Sequence, residues 1–509
     1  MKRICLLIFL GLLYGTPYVS DAQRITYSRP EQDDDYRNTE FEIIGKVGEH
    51  IEVFKNNRDH YAISVYNQDM ELEKRVPLTF LPRKLINVDF IPYDDHFQMI
   101  YQFQRNNLVY CYGVSLNEDA TFTDPPVLID SSEVGSYEVK TKIYSVQHSD
   151  DKSQVMIYKI NRDKKYNNIF YTFLLDARLQ LQNNSRVVIP LENKRNFLSN
   201  FLLTNDGNFA FVKLSPAGSG DNISEAQLVV KAPTVDSFEV HDLDLKGKYL
   251  DEIKLKADNM NKKIFLASFY YLQRRGNVEG LYAGEYNWDQ HQFEGLKFIT
   301  FSDELKMNAR VQVSQNSAFN NYFIRNLVVR NDGGFLLTAE SYYSSSRYQP
   351  WDRWGYLSSP WGYSAYSYPY YYSPYSPWYY SPYYWDNNRG TTYHYDYVAI
   401  LSYDGSGKLQ WSNFIPKEQT ADDNASFLSY KMVNIGNELL FTYNELFRRS
   451  YLLTAVSVTP DGKLGKLPTL RSLDRGYAWM PRFGVQVSAR QVVIPCIYRN
   501  YICFAKIDF

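Results

Sequence analysis

The sequence predicts an all-β fold, and three observations carry that prediction. Apolar and aromatic runs of five to eight residues recur from end to end, split by Asn, Asp and Gly. No segment keeps a 3.6-residue apolar period for three turns. Hairpin patterns also return at a spacing of about 50 residues, the size of a four-stranded repeat unit.

The chain begins MKRICLLIFLGLLYGTPYVSDAQ. Lys2 and Arg3 precede a short apolar stretch, Ile4 to Leu13, and Ser20 and Ala22 suit the −3 and −1 positions of a cleavage site. Residues 1–22 are therefore expected to be a secretory signal peptide, too short in its apolar part to span a bilayer. Cys5 lies at the start of the apolar stretch, where a lipid-anchor cysteine would come after it, so no lipoprotein is expected. The mature chain is expected to be exported, periplasmic or at the cell surface, with no transmembrane segment. A net charge of −2 and the lack of a basic block argue against a nucleic-acid partner.

The repeat shows best in its turns. FLLTNDGNFAFVKLS (201–215) and NLVVRNDGGFLLTAES (326–341) both read strand, Asn-Asp-Gly turn, strand. Such turns need positive φ, which Gly and Asn tolerate at low cost. A second hairpin comes after each first one, as in YVAILSYDGSGKLQWSNFIP (397–416) and LTAVSVTPDGKLGKLPTL (453–470). Eight such units start near residues 41, 85, 140, 196, 250, 320, 427 and 482. The last lacks a fourth strand, which RITYS (24–28) would supply from the other end of the chain. This pattern predicts a β-propeller of four-stranded blades over residues 23–509, eight favoured and seven the alternative, closed by the two terminal strands. Two β-sandwiches would share the short strands but not the regular spacing.

Blade six is interrupted between its second and third strands. Residues 341–397 hold 18 of the 46 tyrosines and five of the eight tryptophans, and no charge occurs from Gly355 to Trp385. Six prolines between Pro350 and Pro382 are expected to deny both helix and sheet. Tyr and Trp give large, fairly rigid contact area with a polar end. The insert therefore reads either as an interaction arm for an envelope protein or glycan, or as a passive low-complexity insertion. The candidate binding residues are Tyr370, Tyr371, Tyr375, Trp378, Tyr379, Tyr383 and Trp385.

Motifs that carry chemistry are sparse. The seven histidines include no HExxH pair, and neither a G-x-S-x-G elbow nor a phosphate-binding loop occurs. No catalytic, cofactor-binding or metal residue is assigned. The pairs Asp33-Asp34-Asp35, Asp94-Asp95, Asp150-Asp151 and Asp422-Asp423 read as turn residues and leave a structural calcium ion open as a minor reading. Asp404, Gly407 and Trp411 read as a turn with a Trp packed between blades. Cys496 and Cys503 would face each other if Arg499-Asn500 is a two-residue turn; buried thiols are favoured there over a disulfide.

Around residues 396–445 a hydrophobic strand leads to an Asp-x-x-Gly turn, a Trp, a Lys-x-Gln and a Ser-rich approach. Those positions are Asp404, Gly407, Trp411, Lys417, Gln419, Ser426 and Ser429. In this the chain resembles a group of uncharacterised exported proteins of Bacteroidetes. The resemblance implies a propeller-like fold and export from a Gram-negative cell, and nothing catalytic. Three functions compete. The first is an exported, non-catalytic binding or scaffold propeller with the insert as its arm. The second is a glycan-binding or glycan-active propeller, hydrolase or lyase, with carboxylates at the channel mouth. The third is a purely structural protein with a passive insert.

Overall fold

In the computed structural model the described residues are 23–135, 138–139, 142–163, 167–190, 195–218, 221–309, 317–346, 351–358, 390–447, 450–470 and 476–509. They form antiparallel β-structure with only short helices, such as Asp303–Asn308 and Arg353–Ser358. Among them, no helix is long and apolar enough to cross a membrane.

The strands group into eight four-stranded units. Their first strands begin at Thr39, Asn87, Ser145, Phe197, Lys254, Tyr322, Tyr430 and Tyr477. Within units one to seven the strands pair in chain order, here called first to fourth. Units four and five are joined into one nine-stranded sheet by the two-residue strand Tyr249–Leu250, which bonds to both. In unit eight the first strand is split, Tyr477–Trp479 and Val485–Ser488 both pairing with Gln491–Tyr498. The fourth strand of that unit is Arg24–Tyr27, paired antiparallel with Tyr501–Asp508 from Arg24 opposite Asp508 to Tyr27 opposite Ala505.

Alternation along each strand sends side chains to the two faces of its sheet, and each face meets a neighbour. The result is eight apolar clusters, each shared by two successive units. Phe54 and Ile63 meet Val88 and Met99; Ile100 and Val109 meet Val155 and Ile157; Met156 and Phe170 meet Leu198 and Phe211. The succession continues through Val212 with Ile264, Phe265 with Leu337, Ile400 with Phe441, and Val433 with Val492. It returns to its start where Val493 and Phe504 of unit eight pack on Phe41 and Val53 of unit one.

A polar contact repeats alongside. In units one to seven the turn between third and fourth strands reaches back to the neighbouring unit before it in the ring order. Asp69 pairs with Arg24, Asp119 with Lys74, and His291 with Glu239. Backbone carbonyls do the same: Ala177 accepts from Gln98, Pro233 from Asn183, Ser406 from Lys297 and Pro460 from Trp411. The Asp404–Trp411 segment takes part in two of these contacts. The Asp404 carboxylate accepts from the Lys408 amide at 2.9 Å, and Gly407 takes a φ of +75°. Trp411 then lies against Gly462 of unit seven, where a Cβ would stand 2.6 Å from the indole.

Arg499 and Asn500 both have positive φ, as a two-residue hairpin turn requires. Cys496 stands opposite Cys503, and both are buried free thiols. Asp34 closes a turn as expected, its amide donating to the Glu31 carbonyl at 3.1 Å, and its side chain is fully buried against Lys55. The insert is also more structured at its ends than its prolines suggest. Tyr343–Ser346 pairs with Thr391–His394, so the hairpin continues past Ser341. Arg353–Ser358 forms a short helix in the proline-free window between Pro350 and Pro360. Proline blocks only its own donor and constrains its near neighbours, which leaves that window able to turn.

Glu52, on the second strand of unit one, is fully buried, and neither carboxyl oxygen has a hydrogen-bond partner among the described residues. Burial pushes its carboxyl up to about 8, with Asp119 and Glu118 adding to the shift and Lys74 opposing it. The folded state therefore holds a proton that the unfolded chain releases near the ordinary glutamate range. Stability should fall as pH rises from about 4.5 to 8. Glu52→Gln should flatten that fall and raise the unfolding midpoint at pH 8, read by urea titration across the range.

Candidate interaction site at the foot of the insert

The insert leaves unit six from Phe335–Ser341 and returns into Thr391–Tyr403, strands that pair with each other from Phe335–Tyr403 to Glu340–Val398. Two polar assemblies flank its foot.

The first anchors the start of the insert to unit five. Arg353 donates through Nη1 to the carbonyls of Asn320 and Tyr322, both at 2.8 Å, and through Nη2 to Asp251 Oδ2 at 2.5 Å. Its guanidinium lies 4.1 Å from the Phe323 ring centroid. Tyr271 donates its hydroxyl to the same Asp251 oxygen at 2.9 Å. Trp354 packs edge-on against Tyr271, and Leu357 is buried in the cluster between units five and six. Trp351 donates its indole N–H to Asn321 Oδ1 at 3.1 Å. The base of the insert is thus part of the body's core.

The second lies between units six and seven. Glu340 is fully buried, bonds Lys417 Nζ through Oε1, and accepts through Oε2 from Arg325 Nε at 3.1 Å and Ser429 Oγ at 2.8 Å. Gln419 Oε1 accepts from Lys417 at 3.2 Å and from the Ser429 amide at 2.8 Å, while its Nε2 donates to the Asn444 carbonyl at 2.8 Å. Burial alone would raise the Glu340 carboxyl, but Lys417 and Arg325 hold it below the usual range. Lys417 is pushed down, by burial first and then by Arg325 and Arg482, against the pull of Glu340. Arg482 in turn donates to Tyr395 Oη at 2.9 Å, and Tyr395 packs on Tyr342 at the insert's root. This is where the Lys417, Gln419 and Ser429 pattern leads. Lys417 and Ser429 bond Glu340 and Gln419 bridges those two; the local sequence does not announce Glu340 because it sits 77 residues before Lys417, across the insert. Glu340 and Lys417 are both fully buried, and a hydrogen-bonded network of this kind fixes the local arrangement.

Two further charge clusters lie elsewhere. Lys55 bonds Asp34, Glu31 and the Tyr66 hydroxyl, and Arg75 reaches both acids. Burial leaves Asp34 above its ordinary range, whereas Lys55, Tyr66 and Arg75 draw Glu31 below its own despite burial. On the first strands of units one and two, Glu42 and Asp89 flank Lys142, whose Nζ is 4.0 Å from Asp89 Oδ1. Burial raises both carboxyls and lowers the lysine. Among the described residues, no group of three or more His, Cys, Asp or Glu is placed to hold a metal ion. The seven residues Tyr370, Tyr371, Tyr375, Trp378, Tyr379, Tyr383 and Trp385 lie outside the described residues.

No protein-family model matches the sequence, and no curated protein is similar to it. Solved structures similar in fold include prolyl oligopeptidase B from Galerina marginata, at 8% identity and a TM-score of 0.41 over 92% of this chain and 56% of that one. Oligopeptidase B from Leishmania major matches at 8% identity and 0.38, over 92% and 54%. An ulvan lyase of polysaccharide lyase family PL25 matches at 9% identity and 0.38, over 82% and 90%. The chain thus spans about half the length of the two peptidases. At this similarity none of them assigns an activity.

Removing one partner of a buried ion pair costs about 3–5 kcal/mol. Glu340→Gln should fall in that range, because it leaves Lys417 and Arg325 together without their carboxylate. Lys417→Met should cost less, since Arg325 and Ser429 still compensate Glu340. The double variant should cost less than the sum, a coupling read from a urea-unfolding double-mutant cycle.

Proposed function

We propose that the chain is an eight-bladed β-propeller, exported to the cell envelope, that binds a protein or glycan there without catalysis and uses the Tyr/Trp-rich insert as its arm. The observation that carries this reading is the anchoring of the insert. A passive insertion needs no foundation, whereas this one is fixed by a buried Arg353–Asp251 pair and by Trp354 and Leu357 in the core. The cyclic order of eight apolar clusters and the pairing of the terminal strands support the ring. The N-terminal Lys-Arg, apolar run and Ser-x-Ala support export, and the 396–445 pattern supports a place among the Bacteroidetes group.

One observation favours a second reading, a glycan-active site near the central channel. Glu42 and Asp89 stand on neighbouring first strands, both with raised carboxyls, beside Lys142. A carboxyl kept protonated is what a general acid needs.

The test is a paired pull-down from native envelope extract. One bait is residues 23–509. The other lacks 359–389, bridged by Gly/Ser, and keeps 351–358 so that the core is intact. A ligand retained only by the complete bait supports the arm; equal recovery from both removes it. Replacing the seven candidate Tyr and Trp residues by Ser should abolish retention with the thermal midpoint unchanged. Hydrolysis or cleavage of envelope glycan, lost in Glu42→Gln, would favour the second reading instead.

A further inference from the structure

The fourth strand of each unit is the outer edge of its sheet, and an edge presents a row of backbone N–H and C=O groups that invites pairing with another chain. Seven of the eight outer strands are blunted. Three are short: Glu239–Asp242 and Arg24–Tyr27 have four residues, Leu464–Lys466 three. Leu72–Pro77 carries Glu73, Lys74 and Arg75 and ends in proline. Val127–Glu133 and Gln292–Thr300 each carry two charges and a mid-strand register shift. In Leu409–Asp422, Pro416 interrupts the donors and Lys417 turns inward onto Glu340.

The outer strand of unit three, Leu181–Ile189, lacks these devices. It runs for nine residues without proline. Its register shift falls at Gln182, beside the turn, and Asn183–Ile189 then pairs without a break from Leu174 back to Asn168. Its single charged side chain, Arg186, folds back on its own sheet, Nε donating to Tyr171 Oη at 3.3 Å with the guanidinium 5.8 Å from that ring's centroid. Leu181 and Val188 are 55% and 43% exposed. Among the described residues, no strand pairs with its outer side, and the hydrogen bond that leaves the sheet is a side-chain one, from Asn183 Nδ2 to the Pro233 carbonyl at 2.6 Å.

We propose that Leu181–Ile189 pairs antiparallel with the same strand of a second copy of this chain, so that two units three form one continuous eight-stranded sheet. Charge complementarity points to a copy of itself and selects the register. Centred on Arg186, the pairing would set two arginines face to face, which destabilises a sheet. Centred on Ser185, it sets Arg186 opposite Asn184 of the partner subunit and Val187 opposite Asn183 of the partner subunit, and no like charges meet. Leu181 and Val188 then lie toward the two ends of the joint, where pairing shields them from water. Backbone hydrogen bonds supply the attachment and the single arginine its alignment. This goes beyond the proposed function and does not rest on it.

Sedimentation equilibrium of residues 23–509 tests the pairing. The mean mass should rise toward that of two chains as concentration increases. Asn184→Asp gives Arg186 of the partner subunit a counter-charge and should tighten the dimer several-fold at low salt. Asn184→Lys sets like charges opposite each other and should weaken it tenfold or more. Residue 184 is exposed, so neither change should move the thermal midpoint. The chain lacking 359–389 should associate as the complete one does. A monomer at every concentration, a dimer indifferent to both changes at residue 184, or a dimer lost with 359–389 overturns the proposal.

Discussion

The pairing of Arg24–Tyr27 with Tyr501–Asp508 is the constraint on which the rest depends. Every other unit is built from one continuous piece of chain. This one joins segments nearly the full sequence apart, and without it unit eight would present an open edge to solvent. The segment just after the N-terminal strand is pinned in turn. Asp34 and Glu31 reach Lys55 and Arg75 of unit one, and the Asp34 carbonyl accepts from the Ile502 amide of unit eight. Residues 28–38 therefore stitch the eighth unit to the first, beneath the cluster of Phe41, Val53, Val493 and Phe504.

Buried charge recurs at several of the joints between units. Lys55 with Asp34 holds units eight and one, Lys159 with Asp130 holds two and three, Arg353 with Asp251 holds five and six, and Glu340 bonds Lys417 and Ser429 between six and seven. Such pairs add little net stability over apolar packing, because desolvation offsets most of the attraction. What they add is register. An apolar face tolerates sliding by a residue or a small rotation, whereas a lysine in a dry interface accepts one position for its carboxylate. Faces rich in interchangeable Val, Ile, Leu and Phe gain a unique alignment this way.

Much of the architecture is legible in the sequence, for a physical reason. Turns that require positive φ restrict residue choice, so Asn-Asp-Gly and Asp-x-x-Gly mark hairpins whatever surrounds them. Arg499-Asn500 and the eight unit starts show themselves in that way. RITYS can be assigned because a missing fourth strand at one end and a spare strand at the other are complementary defects. The hidden part depends on contacts distant in sequence. Asp34 is a turn aspartate, and nothing near it in the chain announces that Lys55 buries it. Glu340 looks like the end of a strand until Lys417 and Ser429 return to it beyond the insert. Arg274-Arg275 looks like an ordinary polar turn, since nothing near it in the chain announces the buried Asp221 that both side chains meet. The short helix at Arg353 escapes a reading that averages proline density over the insert, because the effect of each proline is local.

The backward reach of each turn onto the preceding unit gives the structure a direction. Asp119, Ala177, Pro233, His291, Ser406 and Pro460 all contact a unit made earlier in the chain. Each of these turns therefore meets a surface supplied by chain that precedes it in the sequence. One contact breaks the order: Asp69 reaches Arg24, whose strand is held only by the last residues to appear. The apolar face of unit one that carries Phe41 and Val53 is thus completed by Val493 and Phe504, residues from the far end of the sequence.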